Sequence, residues 1–359
     1  MRTLLFVMLS ACATKSTETT TDDSDIAELP SGVADGEDVD PGDDDDDTPP
    51  EDDDTPADQG TPGDDDTPPE DDDDTPPEDD DDATPEDDDD DTPSSDLLDL
   101  SVPGPTEVYA SSGSHTTTDG CTLSYERFTP YAPTADGEVF VLHGFMRSLT
   151  EFSEIAEHIA SWGITTTTVT MCHSSFIDIQ PEQNAADVVE LADHLGAPSV
   201  VWMGHSNGGV SALMAGAMEP DFTEAVLGWD PVEALTGGGP GYAADLAVPL
   251  AGLFGESDAS CNSSNSGLPV YSEASDVRLL RVTEADHCNF EAPTNWACEL
   301  TCARDKVSYS DEMITNTIFS MSTAWALGHL EDGFDMTPWW APGGEVQVEL
   351  RSTGALSSL

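Results

Sequence analysis

"VVWMGHSNGGVSALMAG", Val200 to Gly216, is the stretch on which the reading of the fold turns. It opens with apolar residues of strand type and passes through Gly204-His205-Ser206-Asn207-Gly208-Gly209. It then continues with small and apolar residues that suit a helix. Strand, tight turn and helix in that order hold a serine on a sharp bend with its hydroxyl outward, and glycines two residues to either side permit the backbone crowding. A Gly-x-Ser-x-Gly pattern alone is weak, because short glycine patterns arise by chance. The surrounding elements decide its meaning.

Upstream, a β-rich opening is expected over roughly Thr106 to Pro130, followed by the apolar run "GEVFVLHGF" ending in His143-Gly144-Phe145. "TEFSEIAEHIASWG" has helical spacing with a stop at Gly163, "ITTTTVTM" is a β-branched strand, and "EQNAADVVELADHLG" is an amphipathic helix closed by Gly196. Downstream, "EAVLGWD", "PLAGLFGESD" and "VRLLRVTEADH" are three apolar runs that each end in titratable residues, and "DEMITNTIFSMSTAWALGHL" predicts a long closing helix. Alternating strands and helices predict an α/β domain, a mostly parallel sheet with helices on both faces. Ligands then sit beyond the C-terminal ends of the strands. Ser206, Asp230 and His287 all fall there, in that chain order.

Carried together by "LHGF", "GHSNGG", "GWDPVEA" and "ADHCNF", these features resemble the α/β-hydrolases, nearest to the chlorophyllase, polyester-hydrolase and platelet-activating-factor acetylhydrolase branch. The resemblance implies a catalytic triad of Ser206 as nucleophile, His287 as base and Asp230 as acid. "GWDPVEA" resembles the Asp-Pro-Val motif that supplies the acid in chlorophyllases. Asp258, with Glu256 beside it, occupies the position of the acid in many other α/β-hydrolases and stands as the alternative. The oxyanion hole would be formed by the backbone N–H groups of Asn207 and Phe145, the Phe145 ring being free to line an acyl pocket. His143 precedes the oxyanion turn, His205 adjoins Ser206, and His158 and His194 lie within helices, so His287 alone follows the last expected strand. No metal or cofactor is expected, and a serine at the elbow disfavours haloalkane dehalogenation, which needs a carboxylate nucleophile.

The rest of the chain is of a different kind. From Thr21 to about Ser95 nearly every residue is Asp, Glu, Thr, Pro or Gly, with repeats such as "DDDDTPPEDDDDTPPEDDDD". Such a segment has little apolar surface to offset the entropy of ordering, so a disordered, extended acidic stalk is expected over residues 13–95. The ordered Asp-x-Asp-x-Asp-Gly loop of a calcium site is missing from it. "MRTLLFVMLSAC" predicts a targeting segment, and Leu9-Ser10-Ala11-Cys12 resembles the bacterial lipobox, which makes residues 1–12 a lipoprotein signal and Cys12 the lipidated N-terminus. Residues 96–359 form the catalytic domain. The chain carries 75 acidic against nine basic residues, and about half of the acids belong to this domain. That excess argues against nucleic-acid and anionic-lipid partners. It also resembles the acid-rich, lysine-poor surfaces of proteins from salty environments.

Apart from Cys12 the chain has Cys121, Cys172, Cys261, Cys288, Cys298 and Cys302, an even set suited to disulfides in an oxidising compartment. Topology suggests Cys261 with Cys288, Cys298 with Cys302, and Cys121 with Cys172. A zinc site is disfavoured, because the closest pair has no second pair opposite it. The expectation is therefore a monomeric serine hydrolase of the cell envelope, tethered to a membrane only through its N-terminal lipid. It would cleave small-molecule or polymeric carboxylic esters through an acyl-enzyme. A thioesterase or amidase would use the same triad, and a non-catalytic binding or display module would use the same scaffold.

Overall fold

The computed structural model describes residues 97–233, 237–259 and 261–359. The expected signal, Cys12 and the expected acidic stalk lie outside the described residues.

The domain is α/β. An antiparallel pair, β1 (Val108–Thr116) and β2 (Thr122–Pro130), is followed by β3 (Glu138–Leu142), α1 (Ser153–Ser161), β4 (Thr165–Thr170) and a small hairpin, β5 (Ser174–Ser175) with β6 (Asp178–Ile179). Then come α2 (Pro181–Leu195), β7 (Val200–His205), α3 (Asn207–Met218), β8 (Thr223–Trp229), α4 (Gly239–Asp245), β9 (Leu250–Phe254), α5 (Gly267–Tyr271) and β10 (Val277–Val282). After a single 3-10 turn over His287–Phe290, the chain closes with α6 (Trp296–Cys302), α7 (Asp311–Leu330), α8 (Thr337–Trp340), α9 (Glu345–Ser352) and β11 (Leu356–Ser358). The main sheet has the order β1-β2-β4-β3-β7-β8-β9-β10-β11. Strands β4, β3, β7, β8, β9 and β10 run parallel, and β1, β2 and β11 complete the two edges antiparallel.

Period-two alternation divides the strands between two cores. Val139, Val141, Met203 and Leu253 pack with Ile155 and Ile159 of α1 and with Ile318, Met321 and Trp325 of α7 on one face. Phe140, Leu142 and Trp202 pack with Val188 and Leu191 of α2 and Val210 and Leu213 of α3 on the other. Glycine ends α2, where Gly196 takes φ +71° as the left-handed cap. From β3 the chain steps to β4 on one side and returns to β7 on the other, so the strand order reverses between β3 and β7. A crevice opens at such a reversal, outside the C-terminal strand ends. The loop after β3 and the turn after β7 bring Phe145 and Ser206 to that end of the sheet. Among the described residues no helix is long and apolar enough to cross a membrane.

The cysteines correct one expectation. Cys121 is bonded to Cys172, but Cys261 is bonded to Cys302 and Cys288 to Cys298. The expected pairs Cys261–Cys288 and Cys298–Cys302 do not form. The reason is helical geometry. Cys298 and Cys302 stand four apart on α6, where β-carbons lie about 5–6 Å apart, whereas a disulfide needs about 3.8 Å. Each therefore takes a partner from outside the helix. Sulfurs of Cys288, Cys298 and Cys302 cluster closely enough to suggest a metal set, but all three are oxidised to cystines.

Candidate active site

Ser206 sits between β7 and α3 with φ +57° and ψ −126°, a strained conformation for a residue with a side chain. The glycines around it are required by contact rather than by φ. A Cβ on Gly204 would lie 2.2 Å from the Gly208 carbonyl oxygen, and one on Gly208 would lie 2.3 Å from that of His143. Strand, turn and helix can approach this closely only without side chains there. The bend is pinned by Ser206 N–H donating to the Trp229 carbonyl at 3.0 Å and by Val232 N–H donating to the Ser206 carbonyl at 3.0 Å.

His287 follows β10 and is buried, and its Nδ1 donates to Oδ2 of Asp230 at 2.7 Å. Asp230, at the end of β8, is fully buried and also has positive φ, +42°. Its other oxygen accepts from Gly255 N–H at 3.0 Å and from Asn262 Nδ2 at 3.4 Å. These bonds fix the carboxylate plane, and the carboxylate orients the imidazole with Nδ1 toward it. Asp258 is elsewhere. Its side chain is 72% exposed and meets Arg304 at 3.2 Å, while Glu256 pairs with Arg281 at 3.0 Å. The structure thus joins His287 to Asp230 and to neither alternative.

His143, His158 and His194 are committed elsewhere. Burial pushes His143 down to about 4, so it is neutral: Nδ1 donates to the Gly144 carbonyl at 2.7 Å and Nε2 accepts from Met171 N–H at 2.9 Å. It braces the loop that bears Phe145. His158 bonds the Leu100 carbonyl, and His194 stacks on His115 with ring centroids 4.2 Å apart.

Gly144 lets that loop sit against the serine, since a Cβ there would come within 2.8 Å of the Ser206 Cβ. Met146 N–H and Arg147 N–H are occupied by the Ser174 and Gly144 carbonyls, whereas Phe145 N–H donates to no acceptor among the described residues. Asn207 is the first residue of α3, whose opening N–H groups have no acceptor within the helix. The N–H groups of Phe145 and Asn207, neighbours in sequence of Gly144 and Ser206, are thus left without a protein acceptor among the described residues. The Phe145 ring meets Phe176 edge to face at 5.0 Å. Phe176 and Ile177, at the tip of the β5–β6 hairpin, are 74% and 98% exposed.

Several residues around these groups carry no motif: Asn262 on Asp230, His143 on the Phe145 loop, and the buried His205 and Glu291 with the part-exposed Arg147 behind His287. The one sequence signal for the last is scarcity. Basic residues are few in this domain, so each invites the question of what it holds. Compared with models of known protein families and with curated protein sequences, the chain matches none.

Proposed function

We propose that the protein is a serine hydrolase of carboxylic esters, of α/β-hydrolase type, working through an acyl-enzyme. The observation that carries this reading is the hydrogen-bonded His287–Asp230 pair at the same sheet edge as a serine strained to positive φ on a strand-to-helix turn. His287 Nε2 removes the Ser206 proton as Oγ attacks the ester carbonyl carbon. The negative charge that develops on the carbonyl oxygen is met by the N–H groups of Asn207 and Phe145. Asp230 stabilises the imidazolium, which then protonates the departing alkoxide. Water repeats the sequence to free the acid and regenerate Ser206.

The surroundings favour an uncharged substrate with an apolar part. Phe145, Phe176, Ile177 and the half-exposed Met146 offer apolar surface beside the donors, and the acid-rich domain repels anions. A lipid on Cys12 and the acidic stalk complete the proposal, holding this domain away from a membrane in the cell envelope.

A fluorophosphonate probe should label Ser206, and a series of p-nitrophenyl esters of increasing chain length should be hydrolysed. Ser206→Ala should abolish labelling and lower kcat by about 10⁶-fold. Ester hydrolysis that survives this substitution would sink the assignment.

A further inference from the structure

Behind the His287 ring lies a second buried histidine. His205 stands 4.3 Å from it, centroid to centroid, with Phe152 and Phe290 against its other sides. Both nitrogens of His205 are buried without a hydrogen-bond partner among the described residues, and its Nδ1 is 4.0 Å from a carboxylate oxygen of Glu291. Glu291 has a wholly buried side chain and is bonded to Nε of Arg147, which is 14% exposed. Arg147 belongs to the loop that brings Phe145 N–H to the site. Glu291 directly follows the 3-10 turn that begins at His287. One buried ion pair therefore spans the two loops that carry the proposed oxyanion donor and the proposed base.

The same seam is stitched by further hydrogen bonds. Glu154 N–H donates to the Ala292 carbonyl, Ala292 N–H to the Glu151 carbonyl, and Asn295 Nδ2 to the Glu151 carboxylate at 3.0 Å. Those bonds hold the flanks of the two loops. Burying a carboxylate and a guanidinium is costly, and apolar residues of similar volume hold such seams as well or better. The pair has a second consequence: Arg147 cancels the Glu291 charge beside the two adjoining imidazoles.

We infer that Arg147 and Glu291 are positioning residues, a buried clasp that fixes the oxyanion loop to the base loop and keeps the field at His287 balanced. This rests on the serine-hydrolase reading. Charged and titratable groups face His287 from each packed element: Asp230 after β8, His205 at the end of β7, Arg147 after β3, and Glu291 and Asp286 on its own loop. Asp286 is bonded to Lys306, which also meets Asp311 of α7. Burial, then the neighbouring His287 and Arg147, push His205 well below its ordinary range, so it adds no charge of its own. Burial pushes the Glu291 carboxyl up, and Arg147 opposes that.

The test is the rate of fluorophosphonate labelling of the full chain as a function of pH, with kcat and KM measured in parallel. Wild-type protein must label at Ser206; if it does not, the serine-hydrolase reading fails and the clasp with it. Given labelling, Glu291→Gln leaves an unbalanced cation that disfavours imidazolium, so the acidic limb of the profile should move to lower pH. Arg147→Gln leaves an unbalanced anion and should move the limb to higher pH. Each shift should be of the order of one pH unit, the scale of a unit charge several ångströms away in a protein interior. The double variant Arg147→Gln/Glu291→Gln, which buries no lone charge, should restore the limb but still label about 10²-fold more slowly, because the loops are no longer registered. KM should change far less than kcat. If a single variant does not fold, the double variant decides. A double variant as fast as wild type, or single variants whose limbs move in the same direction or not at all, would overturn the clasp.

Discussion

The Ser206 turn and the His287 loop, the proposed nucleophile elbow and base loop, lie at the same end of the sheet but are held by different means. The elbow is buried from Val200 to Gly216, and its shape follows from close backbone packing at Gly204 and Gly208. No charged residue takes part. The segment from Gly255 to Ser310 is held by cross-links: two disulfides, the Glu256–Arg281, Asp258–Arg304 and Asp286–Lys306 pairs, and the Glu291–Arg147 clasp. Most of the domain's few cations are thus used where these loops meet. A turn between two core elements is fixed by the core. Long loops past the sheet edge have little apolar surface to bury and need covalent and ionic ties.

Transferring the acid between the two candidate positions would break this comparison most sharply. Under the proposed function, Asp230→Asn retains the shape of the carboxylate but favours the wrong imidazole tautomer, and kcat should fall by about 10⁴-fold. Asp258→Asn removes only a solvated contact with Arg304 and should leave kcat within a factor of two or so, as expected of an exposed ion pair worth about 0–1 kcal/mol. Both are measured at one pH, on the alkaline plateau of the wild-type profile. The reverse outcome would show that the base loop rearranges during turnover.

The same contrast explains what could be read from the residues. The Ser206 elbow was legible because its demands are local: a β-branched run, two glycines at fixed offsets and a run of helix formers. The parallel sheet was legible from strand and helix periods, and Asp230 from the apolar strand that delivers it. The disulfide partners were not. Cys298 and Cys302 look local by spacing, and only the helical course of α6 separates their β-carbons. The Glu291–Arg147 contact joins residues 144 apart in sequence and carries no motif. Asn262 reaches Asp230 from a turn whose course no pattern predicts.

A smaller effect should come from opening the Cys288–Cys298 bridge. It closes a ten-residue separation, for which the loss of chain entropy corresponds to about 2–3 kcal/mol. Cys288→Ala/Cys298→Ala should lose that much stability in denaturant unfolding. Amide exchange should accelerate first over residues 287–302 and remain slow over the elbow helix α3. Equal acceleration in both regions would mean that the base loop and the elbow unfold as one unit.

The smallest expected effect concerns Glu284, which ties the end of β10 to the segment before α7. One of its carboxylate oxygens accepts the N–H groups of Val307, Ser308 and Tyr309 at 2.8 to 3.0 Å, and these bonds hold its carboxyl down to about 2 from an ordinary 4.5. A carboxyl depressed on folding contributes stability that is fully present above the unfolded value and is lost as pH falls from about 4.5 towards 2. Glu284→Gln can still accept these bonds, but without the charge that strengthens them. The variant should therefore melt below wild type above pH 4.5, and the gap should close as pH approaches 2. The difference between the two proteins is the quantity to follow, because neutralising many other acids in this domain relieves self-repulsion over the same range and shifts both melting curves together. A gap that stays constant from pH 7 to pH 2 would mean that the shape of this cap, and not its charge, secures the link between β10 and α7.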